Sequence, residues 1–214
     1  MNFTRSFIAI VLVAATSLFL ASCNKDEVKP ALAATTFSNL AADPPSGSYN
    51  PINGQPIGVT KKYTLFSFKT GAIVANADSA STKWDVGFNG TNVIINSGTS
   101  GPGTAAAQIK SAIFDELIEA PVDGFNQDNK NTAPASYAIP RGSGNGWYSY
   151  NQSTNIITPI AGKVLIIKTS EGRFAKMEIL SYYQDAPATP TANSKDRYYT
   201  FRYLYQSEPT NALK

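Results

Sequence analysis

The stretch of sequence that decides the fold is WDVGFNGTNVII, residues 84–95. In its first half, apolar side chains alternate with small or polar ones, which is the pattern of a half-buried β-strand. Asn89-Gly90 is a strong turn signal, and the apolar run at 93–95 supplies the returning strand. These residues predict an antiparallel hairpin.

Other stretches of the chain show the same period of two. Residues 62–74 predict a hairpin that turns at Gly71. The continuous apolar run at 164–167 is typical of a strand buried on both faces, and Glu171-Gly172 turns it into a partner strand at 174–183. A last strand at 198–206 carries an aromatic face: Tyr199, Phe201, Tyr203 and Tyr205.

One segment has a helical period. Within residues 104–119, Ile109, Ile113 and Leu117 recur every four residues, and Pro121 follows as a stop signal. No repeat of 20 to 50 residues is visible, which argues against solenoids and propellers. We therefore predict a mainly β fold, a single antiparallel β domain with one short amphipathic helix at 104–119.

The first residues indicate export. Arg5 precedes an uncharged run of 14 residues at 7–20, a length that suits the core of a signal peptide better than a membrane span of about 20 residues. Small residues before Cys23, with Leu20 three positions ahead of it, resemble the bacterial lipobox. We expect residues 1–22 to be a signal peptide and Cys23 to carry lipid, the alternative being a structural or stray thiol.

The mature chain then divides into a tether and a body. Residues 23–55 are rich in Ala, Pro, Ser, Asn and Gly with few large apolar groups, and they predict a lipidated flexible tether. Residues 56–214 are long enough for one domain with an adequate core. Cys23 is the only cysteine, so no internal disulfide can form and the body must rely on that core.

Composition excludes several classes of function. The 214 residues are 43% apolar and 15% charged, which indicates a globular protein. The chain has no histidine, so Ser-His-Asp, Cys-His and zinc-hydrolase chemistry are excluded. Without the signal peptide the formal charge is +2, from 17 basic and 15 acidic residues. This balance gives no electrostatic case for a nucleic-acid partner.

Three polar segments are weak candidates for catalytic or ion-binding sites. The glycine-rich loop at 98–103 lies where a phosphate cradle would, but no Lys-Ser or Lys-Thr pair follows it. The carboxylates at 115–119 fit a solvated face better than a glycosidase pair. The Asp and Asn residues at 123–129 lack the alternating ligands and distal Glu of a calcium loop. We predict a connection, a solvated face and turns respectively, and no enzyme.

Several stretches, in their order and spacing, resemble the HmuY family of Bacteroidetes haem-binding lipoproteins. They cover nearly all of the body: residues 66–71, 83–88, 96–98, 120–125, 146–148, 175–177 and 199–203. The resemblance implies an almost all-β fold with one helix and a haem-scavenging role beside an outer-membrane receptor, which we expect to be a TonB-dependent receptor. Lys25-Asp26-Glu27 resembles the short charged signal that directs Bacteroidetes lipoproteins to the cell surface. We therefore expect a lipid-anchored protein of the outer membrane.

The sequence departs from the family in the residues that would bind iron. Family members hold haem iron with paired axial histidines or methionines on hairpins between the segments corresponding to 120–125 and 175–177. Matched outward from Gly146-Trp147, one ligand position falls at Gln152, or near Asn155 if the loop pairs differently. Neither amide is a usual iron ligand. The bis-histidine mode is absent.

Aromatic residues and one cation in the same region predict a different way of holding a porphyrin. An apolar planar ligand would lie against Tyr137, Trp147, Tyr148 and Tyr150, and Arg141 would meet a propionate. Tyrosinate and methionine can both bind haem iron, which makes the tyrosines and Met177 possible ligands. Met177 alternates with Ala175 and Ile179, however, as a core residue would, and Tyr148 and Tyr150 fit ordinary strand aromatics.

Two functions therefore stand. The first is a surface lipoprotein that binds haem or a related planar apolar ligand for uptake. The alternative is a non-haem surface binding or interaction module that retains the HmuY-like scaffold.

Overall fold

The computed structural model describes residues 32–47, 49–52, 54–129 and 136–214. The predicted signal peptide, Cys23 and the first part of the predicted tether lie outside these ranges. Among the described residues no helix is long and apolar enough to cross a membrane. The described strands are β1 (Thr35–Ala41), β2 (Thr64–Ser67), β3 (Ala72–Val74), β4 (Val86–Asn89), β5 (Asn92–Ile95), β6 (Ala106–Ser111), β7 (Tyr148–Asn151), β8 (Ile156–Pro159), β9 (Lys163–Lys168), β10 (Phe174–Tyr183) and β11 (Asp196–Gln206).

The strands form antiparallel sheets. Five strands pair in the order β1-β11-β10-β9-β6, and four pair in the order β3-β2-β4-β5. The β7–β8 hairpin forms a third, two-stranded sheet. The predicted mainly β class is confirmed.

The two larger sheets share one aromatic core. Phe201 of β11 packs against Phe66 of β2 at 5.2 Å and Phe88 of β4 at 5.6 Å between ring centroids. All three side chains are fully buried, so these rings form part of the apolar contact between the sheets. Trp84 is also buried, in a smaller cluster with Leu65 and Ile94.

The predicted hairpins are present. β4 and β5 pair from Val86↔Ile95 to Asn89↔Asn92, so the two-residue turn consists of Gly90 and Thr91. Gly90 adopts φ 51°, a conformation that costs glycine little because it lacks a Cβ. The β2–β3 and β9–β10 hairpins also form, and the apolar run at 164–167 is fully buried as expected.

The predicted helix at 104–119 is wrong. Residues Ala106–Ser111 form β6, which pairs with β9 from Ala106↔Lys168 to Ser111↔Lys163. Alternation decides the outcome: Ala107 is buried and Ile109 packs against the main core, whereas Ile113 is 59% exposed. The apolar residues spaced four apart therefore do not form one buried face. Within the described residues, the helical content is the short 3-10 turn Asn76–Asp78.

Part of the predicted tether forms a β-strand. β1 lies within residues 23–55 and pairs with β11, with Phe37 opposite Phe201. Leu40 is fully buried, and the Phe37 ring lies 5.0 Å from Phe66. The segment Thr35–Ala41, which its composition assigns to the tether, is therefore a strand of the main sheet.

Candidate ligand-binding site

Arg141 joins two tyrosines at the surface. Its guanidinium carbon lies 3.6 Å from the centroid of the Tyr137 ring, and Nη2 donates a hydrogen bond of 3.1 Å to the Tyr63 hydroxyl. The ring quadrupole attracts the cation at this distance. We call these three residues the Arg141 cluster.

The Arg141 cluster rests on a small apolar base. Tyr63 and Tyr137 both pack against the buried cluster of Leu65, Trp84 and Ile94. Arg141 is exposed, while both tyrosines are half-buried. The arrangement therefore presents a cation and two phenol rings on a supported surface.

A buried carboxylate fixes the backbone beside Tyr137. Asp128 accepts hydrogen bonds from the backbone N–H of Ile95 at 3.0 Å and of Ala138 at 2.9 Å. Burial raises the pKa of Asp128, and these hydrogen bonds oppose the rise. Asp128 thus ties the end of β5 to the segment that carries Tyr137.

Tyr63 stays a neutral phenol at physiological pH. Burial raises its pKa, and the positive charge of Arg141 opposes that rise only in part. In this arrangement Tyr63 is a hydrogen-bond partner for Arg141.

Trp147 and Tyr148 lie in the main core. The Trp147 ring centroid is 4.9 Å from that of Tyr148 and 5.1 Å from that of Tyr199. Trp147 Nε1 donates a 3.0 Å hydrogen bond to the carbonyl of Thr91. Both residues are buried, so their rings already have protein neighbours.

Tyr150 lies on the outer face of the β7–β8 hairpin. It is 43% exposed, and its hydroxyl donates to Oδ1 of Asn155 at 2.6 Å. Asn155 itself adopts φ 58° in the hairpin turn. Asn155, one of the two amide positions matched to an axial ligand, therefore has the Tyr150 hydroxyl as its hydrogen-bond partner.

Met177 is fully buried in the main core. It lies on β10 opposite Tyr203 of β11 and Leu165 of β9. The Arg141 cluster packs against a different apolar cluster. Of the six residues predicted to bind the ligand, the structure thus brings Tyr137 and Arg141 into contact and packs Trp147 against Tyr148. It leaves Tyr150 partly exposed on the β7–β8 hairpin and Met177 inside the core.

The other polar segments have structural partners. In the glycine-rich loop, the N–H of Gly103 donates to Asn96 Oδ1 at 2.9 Å, and that of Thr104 donates to Ser170 Oγ at 3.1 Å. Asp115 pairs with Arg202 at 3.2 Å. Among the described residues, no group of three or more Cys, Asp or Glu side chains is placed to hold a metal ion.

Comparisons with known proteins agree with this architecture. Residues 59–203 match the family described as HmuY protein, which is more than half of the chain. The chain belongs to the HmuY family. Proteins of this family are known for haem binding, and they are binding proteins rather than enzymes.

The chain is also similar to solved structures at low sequence identity. Apo PinO from Porphyromonas gingivitis is 11% identical, with a TM-score of 0.50 over 84% of this chain and 100% of that one. The apo HmuY analog of Tannerella forsythia is 14% identical, with a TM-score of 0.45 over 86% of this chain and 100% of that one. At 11% identity the likeness to PinO concerns the fold alone. A search of curated proteins finds no match.

Two cavities of this HmuY-family domain lie away from the predicted ligand residues. One of about 470 Å³ is bordered by Val122, Phe125 and Lys168. Another of about 340 Å³ is bordered by Asp85, Glu171 and Tyr205. None of the six predicted residues lines either cavity.

Sequence reasoning missed Tyr63. Its contact with Arg141 spans 78 positions, and in the sequence it is an ordinary aromatic residue of the predicted hairpin at 62–74. The available signal was indirect: Tyr63 immediately precedes β2, whose partner β4 follows Trp84. A prediction of that pairing would have placed Tyr63 near the base on which Tyr137 packs.

Proposed function

We propose that this HmuY-family chain is a lipid-anchored surface protein that binds haem, or a related planar apolar ligand, for uptake through a TonB-dependent outer-membrane receptor. The observation that carries the proposal is the Arg141 cluster, a guanidinium held against one phenol ring and hydrogen-bonded to another. Haem pairs a flat apolar macrocycle with two propionates. Aromatic faces beside a cation suit both parts.

Arg141 is the residue we assign to a propionate. A guanidinium carries five N–H donors in a planar fork that matches a carboxylate bidentately. Stacking on Tyr137 orients that fork before a ligand arrives. Preorganisation of this kind lowers the entropic cost of binding.

The iron has little part in this mode of binding. The chain has no histidine, and the single methionine of its body, Met177, is fully buried. Affinity must then come from buried apolar area and the propionate contact. An iron-free porphyrin should bind about as well as haem.

The test uses the mature chain with Cys23→Ser, titrated with ferric haem and with protoporphyrin IX. We expect similar affinities for the two ligands, and about a tenfold loss for both in Arg141→Ala and in Tyr137→Ala, or about 1.4 kcal/mol. The volume-conserving control Met177→Leu should leave the haem spectrum unchanged. A low-spin, six-coordinate spectrum that Met177→Leu abolishes would make Met177 an axial ligand and overturn the proposal.

Lipid attachment at Cys23 would hold the domain close to the membrane. Since β1 begins at Thr35, 12 positions separate it from Cys23, and at about 3.5 Å per residue they span at most about 40 Å. Mass spectrometry of the native protein should find an acylated N-terminus at Cys23, and Cys23→Ser should release the chain from the membrane. An unmodified Cys23 would contradict this part.

A non-haem binding or interaction module is the second candidate. The observation that favours it is the burial of Trp147, Tyr148 and Met177, whose side chains already have partners in the core. It predicts no spectral change with haem or protoporphyrin at protein concentrations well above micromolar. Such a result would replace the first proposal with this one.

A further inference from the structure

A second pocket of the domain carries a buried carboxylate. The cavity of about 340 Å³ is bordered by the turn between β2 and β3, the segment that leads into β4, and the turn between β9 and β10. Its volume is at the lower end of the range for small-molecule sites. The Arg141 cluster does not contribute to it.

The carboxylate belongs to Asp85, which is 7% exposed. It accepts a 2.8 Å hydrogen bond from the backbone N–H of Phe68. None of the ion pairs among the described residues includes Asp85. A buried charge is normally paired, because its desolvation is otherwise costly.

The lysines of the cavity have partners of their own. Lys69 Nζ lies 2.8 Å from a Glu171 carboxylate oxygen, and Lys83 Nζ lies 2.8 Å from Asp78. These pairs balance in charge. Both lysines that line the cavity are therefore paired with other carboxylates, and among the described ion pairs none neutralises Asp85.

The walls beside Asp85 include apolar surface. Val74 of β3 and the half-buried ring of Tyr205 both line the cavity. A tyrosine ring can stack on an aromatic ligand, and its face attracts a cation. The cavity thus places the buried carboxylate of Asp85, which has no ion-pair partner among the described residues, beside a small apolar wall.

We propose that this cavity binds a small organic cation, a primary ammonium on a short apolar or aromatic body, with the ammonium at Asp85 and the body against Val74 and Tyr205. The proposal is independent of haem binding. Burial raises the pKa of Asp85 to about 6, with the nearby Glu171 adding to the rise and the Phe68 N–H, Ser67 and Lys69 opposing it. At pH 7.5 the carboxylate is therefore ionised and able to pair with an ammonium.

The probe is phenethylammonium, titrated at pH 7.5 into the mature chain with Cys23→Ser and followed by two-dimensional amide NMR. 2-Phenylethanol is the matched neutral probe, since it has the same ring and linker without the charge. We expect a saturable shift of the Phe68 and Glu171 amides with phenethylammonium, and at least tenfold weaker binding of the alcohol. Equal binding of the two probes, or no saturable shift at 10 mM phenethylammonium, would overturn the proposal.

Two substitutions locate the binding. Asp85→Asn should weaken phenethylammonium at least tenfold, whereas Asp128→Asn, at another buried carboxylate that does not line this cavity, should leave its affinity unchanged. Thr70 is exposed at the cavity border, so Thr70→Trp should block the pocket without disturbing the core, and it keeps the test decisive if Asp85→Asn fails to fold. Unaltered binding in Thr70→Trp would place the probe elsewhere and contradict the proposal.

Discussion

The ammonium of Lys176 donates a 2.7 Å hydrogen bond to the backbone carbonyl of Phe114. A second hydrogen bond, of 3.0 Å, goes to the carbonyl of Leu117. Lys176 lies on β10 and is buried, and its Nζ is also 4.5 Å from the centroid of the Phe114 ring. One side chain therefore satisfies two carbonyls of the segment that follows β6 and fastens that segment to the sheet.

Lys176→Met should loosen this attachment. Methionine keeps most of the length of the side chain but leaves both carbonyls without their donor, and an unsatisfied buried polar group costs about 1–3 kcal/mol. We expect urea denaturation to show a loss of that order in the free energy of unfolding. Lys168→Met, at an exposed lysine, is the control and should change it by less than about 0.5 kcal/mol. Equal effects of the two substitutions would mean that the Lys176 hydrogen bonds contribute nothing.

The hydrogen bonds of Lys176 also show why the helix at 104–119 could not be excluded from sequence. The spacing of Ile109, Ile113 and Leu117 satisfies the helical pattern, and sequence alone does not reveal which donors the carbonyls will find. The competing donors lie in β9 and at Lys176, about 60 positions further along the chain. By contrast, the hairpins were predictable because each is closed by a turn within a few residues.

β1 was missed for a related reason. The composition of residues 23–55 indicates a tether, but the partner of Phe37 is Phe201, at the far end of the chain. At the ligand site, Tyr137 and Arg141 were predictable as neighbours in one loop, whereas the Tyr63 contact needs the sheet pairing. Trp147 and Tyr148 were expected on a ligand wall, but Trp147 packs against the rings of Tyr182 and Tyr199, which come from distant strands.

Removal of β1 should destabilise the domain strongly. A chain of residues 56–214 loses the buried Leu40 and the Phe37 contacts to Phe66 and Phe201. Leu40→Ala in the mature chain should alone cost about 2–5 kcal/mol, because it leaves a cavity in the core. We expect the 56–214 chain to unfold at a lower urea concentration than Leu40→Ala. If the 56–214 chain and the mature chain unfolded at the same urea concentration, residues 23–55 would contribute nothing to the fold and the tether would extend to 55 as the sequence predicts.

Asp43 should stabilise the fold through its ionised form. Its carboxylate accepts hydrogen bonds from the Thr60 N–H at 2.7 Å, the Lys61 N–H at 2.6 Å and Asn89 Nδ2 at 3.0 Å. Burial raises the pKa of Asp43, but these hydrogen bonds outweigh it and lower the pKa below 3.8. Stability from a lowered pKa is present above the unfolded-state value and is lost as the pH falls through the folded-state value.

Asp43→Asn should therefore cost about 1.5–3 kcal/mol at pH 7, the range for hydrogen bonds to a charged group. The difference from the unsubstituted chain should shrink as the pH falls below 4. Asparagine tolerates the φ of 57° at this position, so backbone strain stays constant. Asp185→Asn is the matched control, at an exposed aspartate with φ 60°. Urea denaturation between pH 3 and pH 7 measures both, and a difference independent of pH would refute the role of the charge.

Ionisation of Asp85 should lower the stability of the fold, whereas ionisation of Asp43 raises it. Because burial raises its pKa from 3.8 to about 6, the native state binds more protons than the unfolded state between these pH values. The free energy of unfolding then falls as the pH rises from 4 to 6, by as much as about 3 kcal/mol at 1.36 kcal/mol per pKa unit.

Asp85→Asn cannot ionise and keeps an oxygen to accept the Phe68 N–H, so it should lack this contribution. The unfolding free energy of Asp85→Asn minus that of the unsubstituted chain, from urea denaturation at pH 4, 5, 6 and 7, should therefore rise with pH up to about 6. Asp128 contributes to both chains alike and cancels in the difference. If the difference were constant across the series, Asp85 would titrate at the same pH in the folded and unfolded states.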